Sequence, residues 1–167
     1  MSDAGDIPPP HASLSSEALA EIYAHARRDY PFECCGIVFG PKDERIANRA
    51  LPCANIQNEL HAEDPARHVR DARTAYNLGA TDLLKLGKSL RGTEPAKIIY
   101  HSHVDIVGDG AYFSDTDQTA AQMDGEPSYP VEYLVVDVRA DGIGSAAQFA
   151  WDAVARKYLE VGRYPGT

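Results

Sequence analysis

Cysteine is scarce in this sequence. There are three, and two of them, Cys34 and Cys35, are neighbours. Adjacent cysteines cannot usefully bridge each other, so a disulfide-stapled scaffold is excluded and a reducing compartment, the cytoplasm, is expected. Long apolar runs are missing too. The most apolar stretch, Val131–Val138, is interrupted by Glu132 and Asp137, far short of the roughly 20 apolar residues of a membrane span. The opening MSDAGDIPPPH is acidic and proline-rich, without the basic and apolar parts of a secretion signal. Positive charge is in deficit: 16 Lys and Arg stand against 25 Asp and Glu, a net charge of −9. Such a surface repels phosphate backbones and anionic lipid, so neither nucleic acid nor membrane is an expected partner. No internal repeat, low-complexity tract, phosphate loop, dinucleotide glycine fingerprint, G-x-S-x-G elbow or zinc-deaminase P-C-x-x-C is present.

What remains is the balance of a folded domain, 44% hydrophobic and 25% charged over 167 residues. That length suits one domain with its own core. Residues 1–12 read as a mobile tail, kept extended by three prolines, and residues 13–167 as the domain. Ser15 caps a helix whose apolar face is Leu19, Ile22, Tyr23 and Ala26 and which stops before Pro31. Cys35–Gly40 reads as a buried strand, returning through Arg45–Leu51. Residues 53–71 read as a long polar surface loop with a helical turn, a kind of segment that is often functional. Thr74–Leu78 reads as a strand. Thr81 is placed to cap a helix over 82–91, with Leu83, Leu84, Leu86 and Leu90 as its apolar positions and Gly92 as its stop. Ala96–His103 is a strand running into a loop over 104–113, and Ser114 opens a short helix. Val131–Val138 and Ile143–Trp151 are strands joined at Asp141-Gly142, and 152–160 reads as a closing helix. Strands with interspersed helices predict an α/β or α+β layered domain with a mixed sheet.

Chemistry gathers at His101-Ser102-His103. Residues i and i+2 of a strand share a face, so two imidazoles project together at a strand's end. Alone, the pair equally describes two part-exposed histidines. Ser114-Asp115-Thr116-Asp117 has the form of a capping box, which alone is only a helix start. A helix opening just after the histidine loop, however, can return the Asp117 carboxylate towards both rings. Two His and one Asp are zinc-type ligands that leave a fourth position for water. A hydrolytic site also needs a proton shuttle, and Glu33, ahead of the first buried strand, is the best candidate. Asp105, Asp109, His61, His68, His11 and His25 are weaker, reading as solvated or unpartnered groups. Cys34 and Cys35 read as small buried residues beside a strand, with a reactive pair as the alternative.

Together, Glu33, His101-Ser102-His103 and Ser114-x-x-Asp117 resemble the JAMM (MPN+) metalloprotease signature, and the order of elements over roughly residues 14–160 is similar. The resemblance implies that His101, His103 and Asp117 bind zinc, that Glu33 is general base and then general acid, and that Ser114 stabilises the oxyanion. It implies hydrolysis of a peptide or isopeptide bond at the C-terminal glycines of a ubiquitin-like or sulfur-carrier protein, in the compact prokaryotic manner. Two departures stand out. Ten residues separate His103 from Ser114, longer than the family's usual interval, and Val104 replaces the proline that commonly follows the second histidine. Gly108 and Gly110 suggest a flexible insertion. The rival reading is a catalytically inactive MPN-like scaffold or binding module. An HxH amidohydrolase barrel is disfavoured, since that fold needs about 250 residues.

Overall fold

Ser15 does cap the first helix, its side chain accepting the N–H of Ala18, and the turn ahead of Pro31 ends it. In the computed structural model, which describes residues 11–167, the elements run β1 (Ser13–Leu14), α1 (Ser16–Asp29), β2 (Cys35–Phe39), β3 (Ile46–Ala47), β4 (Arg49–Cys53), α2 (Gln57–Glu63), α3 (Ala80–Ser89), β5 (Ala96–Val104), α4 (Asp115–Ala120), β6 (Gln122–Met123), β7 (Glu126–Pro127), β8 (Glu132–Arg139), β9 (Gly142–Asp152) and β10 (Lys157–Pro165). The expected tail over 1–12 falls outside the described residues as far as residue 10. Ala12 is tied to the sheet: its N–H donates to Glu132 at 2.8 Å, and its carbonyl accepts from Gln148 at 2.8 Å.

Six strands form one sheet in the order β10-β9-β8-β5-β2-β4, and within it only the β5–β8 pair is parallel. The expected mixed sheet with flanking helices is therefore the observed architecture. Side chains alternate across the sheet, so each strand feeds two cores. On one face Val38, Ile98, Tyr100, Leu134 and Val136 pack under Ala18, Ile22 and Ala26 of α1. On the other, Cys35, Ile37, Ile99 and Val135 pack with Leu86 of α3 and Ala121. Gly36 is required where it stands: a Cβ there would lie 2.3 Å from the ring of Tyr100, which crosses above it. Fully burying Ile22 or Leu86 contributes on the order of 1.5–3 kcal/mol each.

Three sequence expectations fail locally. Residues 152–160 are not a helix; β10 pairs antiparallel with β9, and Tyr158 alone turns inward between exposed Lys157 and Leu159. An unpaired edge on β9 would have left a row of open backbone groups, and β10 closes it. Thr74–Leu78 is not a strand beyond a single bridge from Leu78 to Asn55. The Asn55 side chain acts as its partner instead, donating to the Ala75 carbonyl at 3.1 Å and accepting the Asn77 N–H at 3.1 Å. Helix α3 starts at Ala80, with Gly79 as an uncapped N-cap, so Thr81 sits inside the first turn. Of its leucines only Leu86 is fully buried, while Leu84 is 59% exposed. Among the described residues, no helix is long and apolar enough to cross a membrane.

Candidate metal centre and substrate cleft

The register of β2 on β5 sets the site. Cys35 faces His101 across the antiparallel pair, so Glu33, two residues earlier, comes up beside His103. Two bonds extend the pairing past the strand's end: Ser102 N–H to the Cys34 carbonyl at 3.1 Å, and Cys34 N–H to Ser102 Oγ at 2.8 Å. His101 and His103 share the face away from α1, as the two-residue repeat requires. Chain reversal through 104–113 then delivers α4 over that face. Its N-terminus is a reciprocal capping box: Ser114 Oγ accepts the Asp117 N–H at 3.0 Å, and Asp117 Oδ2 accepts the Ser114 N–H at 3.0 Å. The box that starts the helix also fixes the aim of the carboxylate.

The three donor atoms form an almost equilateral triangle. His101 Nε2 and His103 Nε2 are 3.3 Å apart, and Asp117 Oδ2 is 3.3 Å from each. A tetrahedral zinc with bonds of about 2.0–2.1 Å needs ligand–ligand edges of about 3.3 Å. The group can therefore hold a metal ion of that size without rearrangement. The tautomer agrees. His103 Nδ1 lies 2.9 Å from the Gly110 carbonyl, which can only accept, so Nδ1 carries the proton and Nε2 presents its lone pair. His101 is held differently: its ring stacks on Tyr76 at 4.3 Å and 19°, and its buried Nδ1 has no hydrogen-bond partner among the described residues.

Charge follows the same geometry. Burial lowers the pKa of His101, against the pull of Asp117. Burial alone would raise Asp117, but the neighbouring imidazoles, His101 first, and the hydrogen bond from the Ser114 N–H hold it far below the usual carboxylate range. Glu33 is pushed up to about 9, by burial first and Asp117 second, with Arg70 opposing. Its carboxyl is 5% exposed as a residue and opens onto a cleft of about 850 Å³ that Ser114, His103 and Asp117 also line.

All five residues singled out from the sequence thus meet in or at one cleft. The weaker candidates are engaged elsewhere. Asp105 accepts from Tyr30 Oη at 2.6 Å, Asp109 pairs with Arg163 at 2.7 Å, and His61 bonds the His68 carbonyl at 2.7 Å. His25 bridges Tyr100 Oη at 2.8 Å and Asp29 at 3.0 Å. His68 itself lines the cleft. Burial pushes the Cys34 and Cys53 thiols each up to about 12, which keeps them protonated.

The 104–113 insertion, expected to be flexible, is tied down at five residues by four side chains. Besides Tyr30 to Asp105 and His103 to Gly110, Arg139 donates to the Gly108 carbonyl, and Arg163 donates to Asp109 and to the Ala111 carbonyl. Sequence reasoning also missed the wall of the cleft made by Arg67, Arg70 and Arg73. Its one signal was the length and polarity of the 53–71 segment.

The fold and the group at its centre define a class: one layered α/β domain presenting two strand histidines and a helix-cap aspartate beside a buried glutamate. A family model for prokaryotic homologs of the JAB domain matches residues 15–153. The chain belongs to that family. It is 28% identical over 127 residues to proteins named CysO-cysteine peptidase from Mycobacterium tuberculosis and Mycobacterium bovis, an alignment covering 75% of this chain and 73% of theirs. Among solved structures, a Desulfitobacterium hafniense protein superposes with a TM-score of 0.60 at 20% identity, covering 89% of this chain and 88% of that one. A Salinibacter ruber protein does so at 0.56 and 21%, covering 90% and 88%. These two establish the shared fold.

Proposed function

We propose that this protein is a zinc-dependent peptidase that hydrolyses an amide bond at the C-terminal glycines of a ubiquitin-like or sulfur-carrier protein. The observation that carries the reading is the 3.3 Å triangle of His101, His103 and Asp117 donor atoms. The name of the mycobacterial relatives supports the substrate class. His101, His103 and Asp117 would hold the metal. A zinc ion so held supplies Lewis acidity and brings the pKa of its water down to about 7.

The chain's own groups do the rest. Glu33 takes a proton from the attacking water and returns it to the leaving amine, so the carbon–nitrogen bond breaks with the water's oxygen on the acyl side. Ser114 Oγ accepts from Asp117, which leaves its own hydroxyl proton free to donate to a developing oxyanion. Glycines on the acyl side let the substrate backbone approach closely.

The test is a pair of measurements on purified protein. Wild type is expected to carry about one zinc per chain and to release the extension from a glycine-ended carrier. Glu33→Gln is expected to keep the zinc and lose the release. Zinc absent from wild type after supply, with no turnover, would leave the inactive scaffold reading in place.

A further inference from the structure

The arginines of this acidic chain are not evenly matched with carboxylates. Arg28, Arg49, Arg139 and Arg156 each meet one, and Arg163 meets two. The other six, Arg27, Arg45, Arg67, Arg70, Arg73 and Arg91, form no ion pair among the described residues, and of these Arg67, Arg70 and Arg73 line the cleft that holds Glu33 and Asp117. Among the described residues, no carboxylate lines that cleft other than those two. Against a net charge of −9, three unneutralised guanidiniums facing one opening form a local field of the opposite sign.

The segment that carries them is built in place rather than loose. Gln57, itself only 4% exposed, donates to the Arg70 carbonyl at 2.7 Å. His61 holds the His68 carbonyl, and Asn58 accepts the Ala72 N–H at 2.8 Å. The Ala72 carbonyl then accepts the N–H of Glu33 at 2.7 Å. Helix α2 thus fixes the backbone at residues 68, 70 and 72, and the same strap ends on the proposed proton shuttle. Arg70 is near enough for its charge to act on the Glu33 carboxyl.

We propose that Arg67, Arg70 and Arg73 bind a free C-terminal carboxylate on the leaving side of the scissile amide. The substrate is then a chain that ends shortly beyond its glycines, not a conjugate joined to a lysine side chain. The inference rests on the amide-hydrolysis reading above. A guanidinium matches a carboxylate through two parallel hydrogen bonds, which a fixed backbone makes geometrically selective. The arginines share one cleft with His103 and Asp117, so the anion and the scissile bond fall within the same opening. A lysine leaving group would present a cation to the same wall when released, and the bulk of the second protein would have to fit there as well.

Two peptides test this: a glycine-ended sequence plus one neutral residue, prepared as the free acid and as the carboxamide. Binding is measured by calorimetry on zinc-loaded Glu33→Gln protein, where no turnover intervenes. The acid should bind about tenfold or more tightly than the amide, as expected for charge-assisted hydrogen bonds. Combined Arg67→Gln, Arg70→Gln and Arg73→Gln should bring the ratio within about twofold, at unchanged zinc content and melting temperature. Arg70→Lys should retain part of the preference. Equal binding of acid and amide by the parent protein overturns the proposal. So does an amidated peptide ending in glutamate that binds as tightly as the free acid, because the wall would then be reading side chains. Turnover by wild type is measured separately. Acid preference in binding with no hydrolysis leaves the carboxylate site standing and removes the peptidase reading.

Discussion

Gly110 gives its carbonyl oxygen to Nδ1 of His103 at 2.9 Å. The segment that departs most from the family's spacing is therefore the one that orients a candidate ligand. The extra residues do not hang from the site; they complete its outer shell.

That contact gives a substitution with a defined failure. A Cβ on Gly110 would lie 2.5 Å from Asp137 Oδ1, and Asp137 is held by Arg139 at 2.9 Å. Gly110→Ala is expected to shift the loop and weaken zinc affinity by about 10- to 100-fold, the usual effect of losing an outer-shell partner. Competition with a chromogenic chelator reads this directly. An affinity equal to wild type would mean that His103 is oriented without Gly110.

His103→Ala removes one corner of the triangle and should abolish stoichiometric zinc. Wild type should lose thermal stability on treatment with chelator, by roughly 2.7 kcal/mol when zinc had been present at a hundred times its dissociation constant. Elemental analysis and thermal melts with and without chelator check both statements. The variant's melt should not respond to chelator at all.

Ser114 carries two duties that a single substitution can separate. Ser114→Ala removes a helix cap, expected to cost about 0.5–2 kcal/mol. It also removes the hydroxyl offered to the oxyanion, expected to lower kcat by about 10²- to 10³-fold with zinc retained. Destabilisation with kcat intact would reduce Ser114 to a cap.

Acid sensitivity should arise partly far from the cleft. His25 is buried between Tyr100 and Asp29, and burial lowers its pKa below the ordinary 6.5, with Arg28 adding to this and Asp29 opposing. The unfolded chain then takes up a proton near pH 6.5 while the folded chain resists until lower pH. The stability from the neutral ring is complete above that value and is lost as pH falls below it. Melting temperatures of wild type and His25→Gln, compared from pH 7.5 to 5 at fixed zinc, should converge on acidification. Parallel curves would assign the acid sensitivity to other groups.

The sequence announced most of this centre because its residues are local to strong signals. A strand places His101 and His103 on one face by its two-residue repeat, and a capping box needs Ser114 and Asp117 three apart. Glu33 was legible as a carboxylate ahead of the first buried strand, and the family pattern reinforced it; what places it is the β2–β5 register, a long-range pairing that no local periodicity records. The closing strand β10 was misread as a helix because Tyr158 is its only fully inward side chain in a mostly exposed run. The arginine wall was invisible for another reason. Its shape comes from amide side chains of Asn55, Gln57 and Asn58 bonding to backbone groups some 13 to 22 residues away, and such bonds leave no pattern in composition.

Those amides also divide the molecule by how freely each part can change. The ligand triangle is built from a central strand and a helix cap, where a one-residue slip would dismantle it. The strap over 64–74 is clipped on from outside by three side chains and one backbone bond to Glu33. Residues 67, 70 and 73 line the cleft, and their side chains form no ion pair among the described residues. Descendants of this chain could therefore exchange what they select at three surface positions while inheriting the reaction centre unchanged.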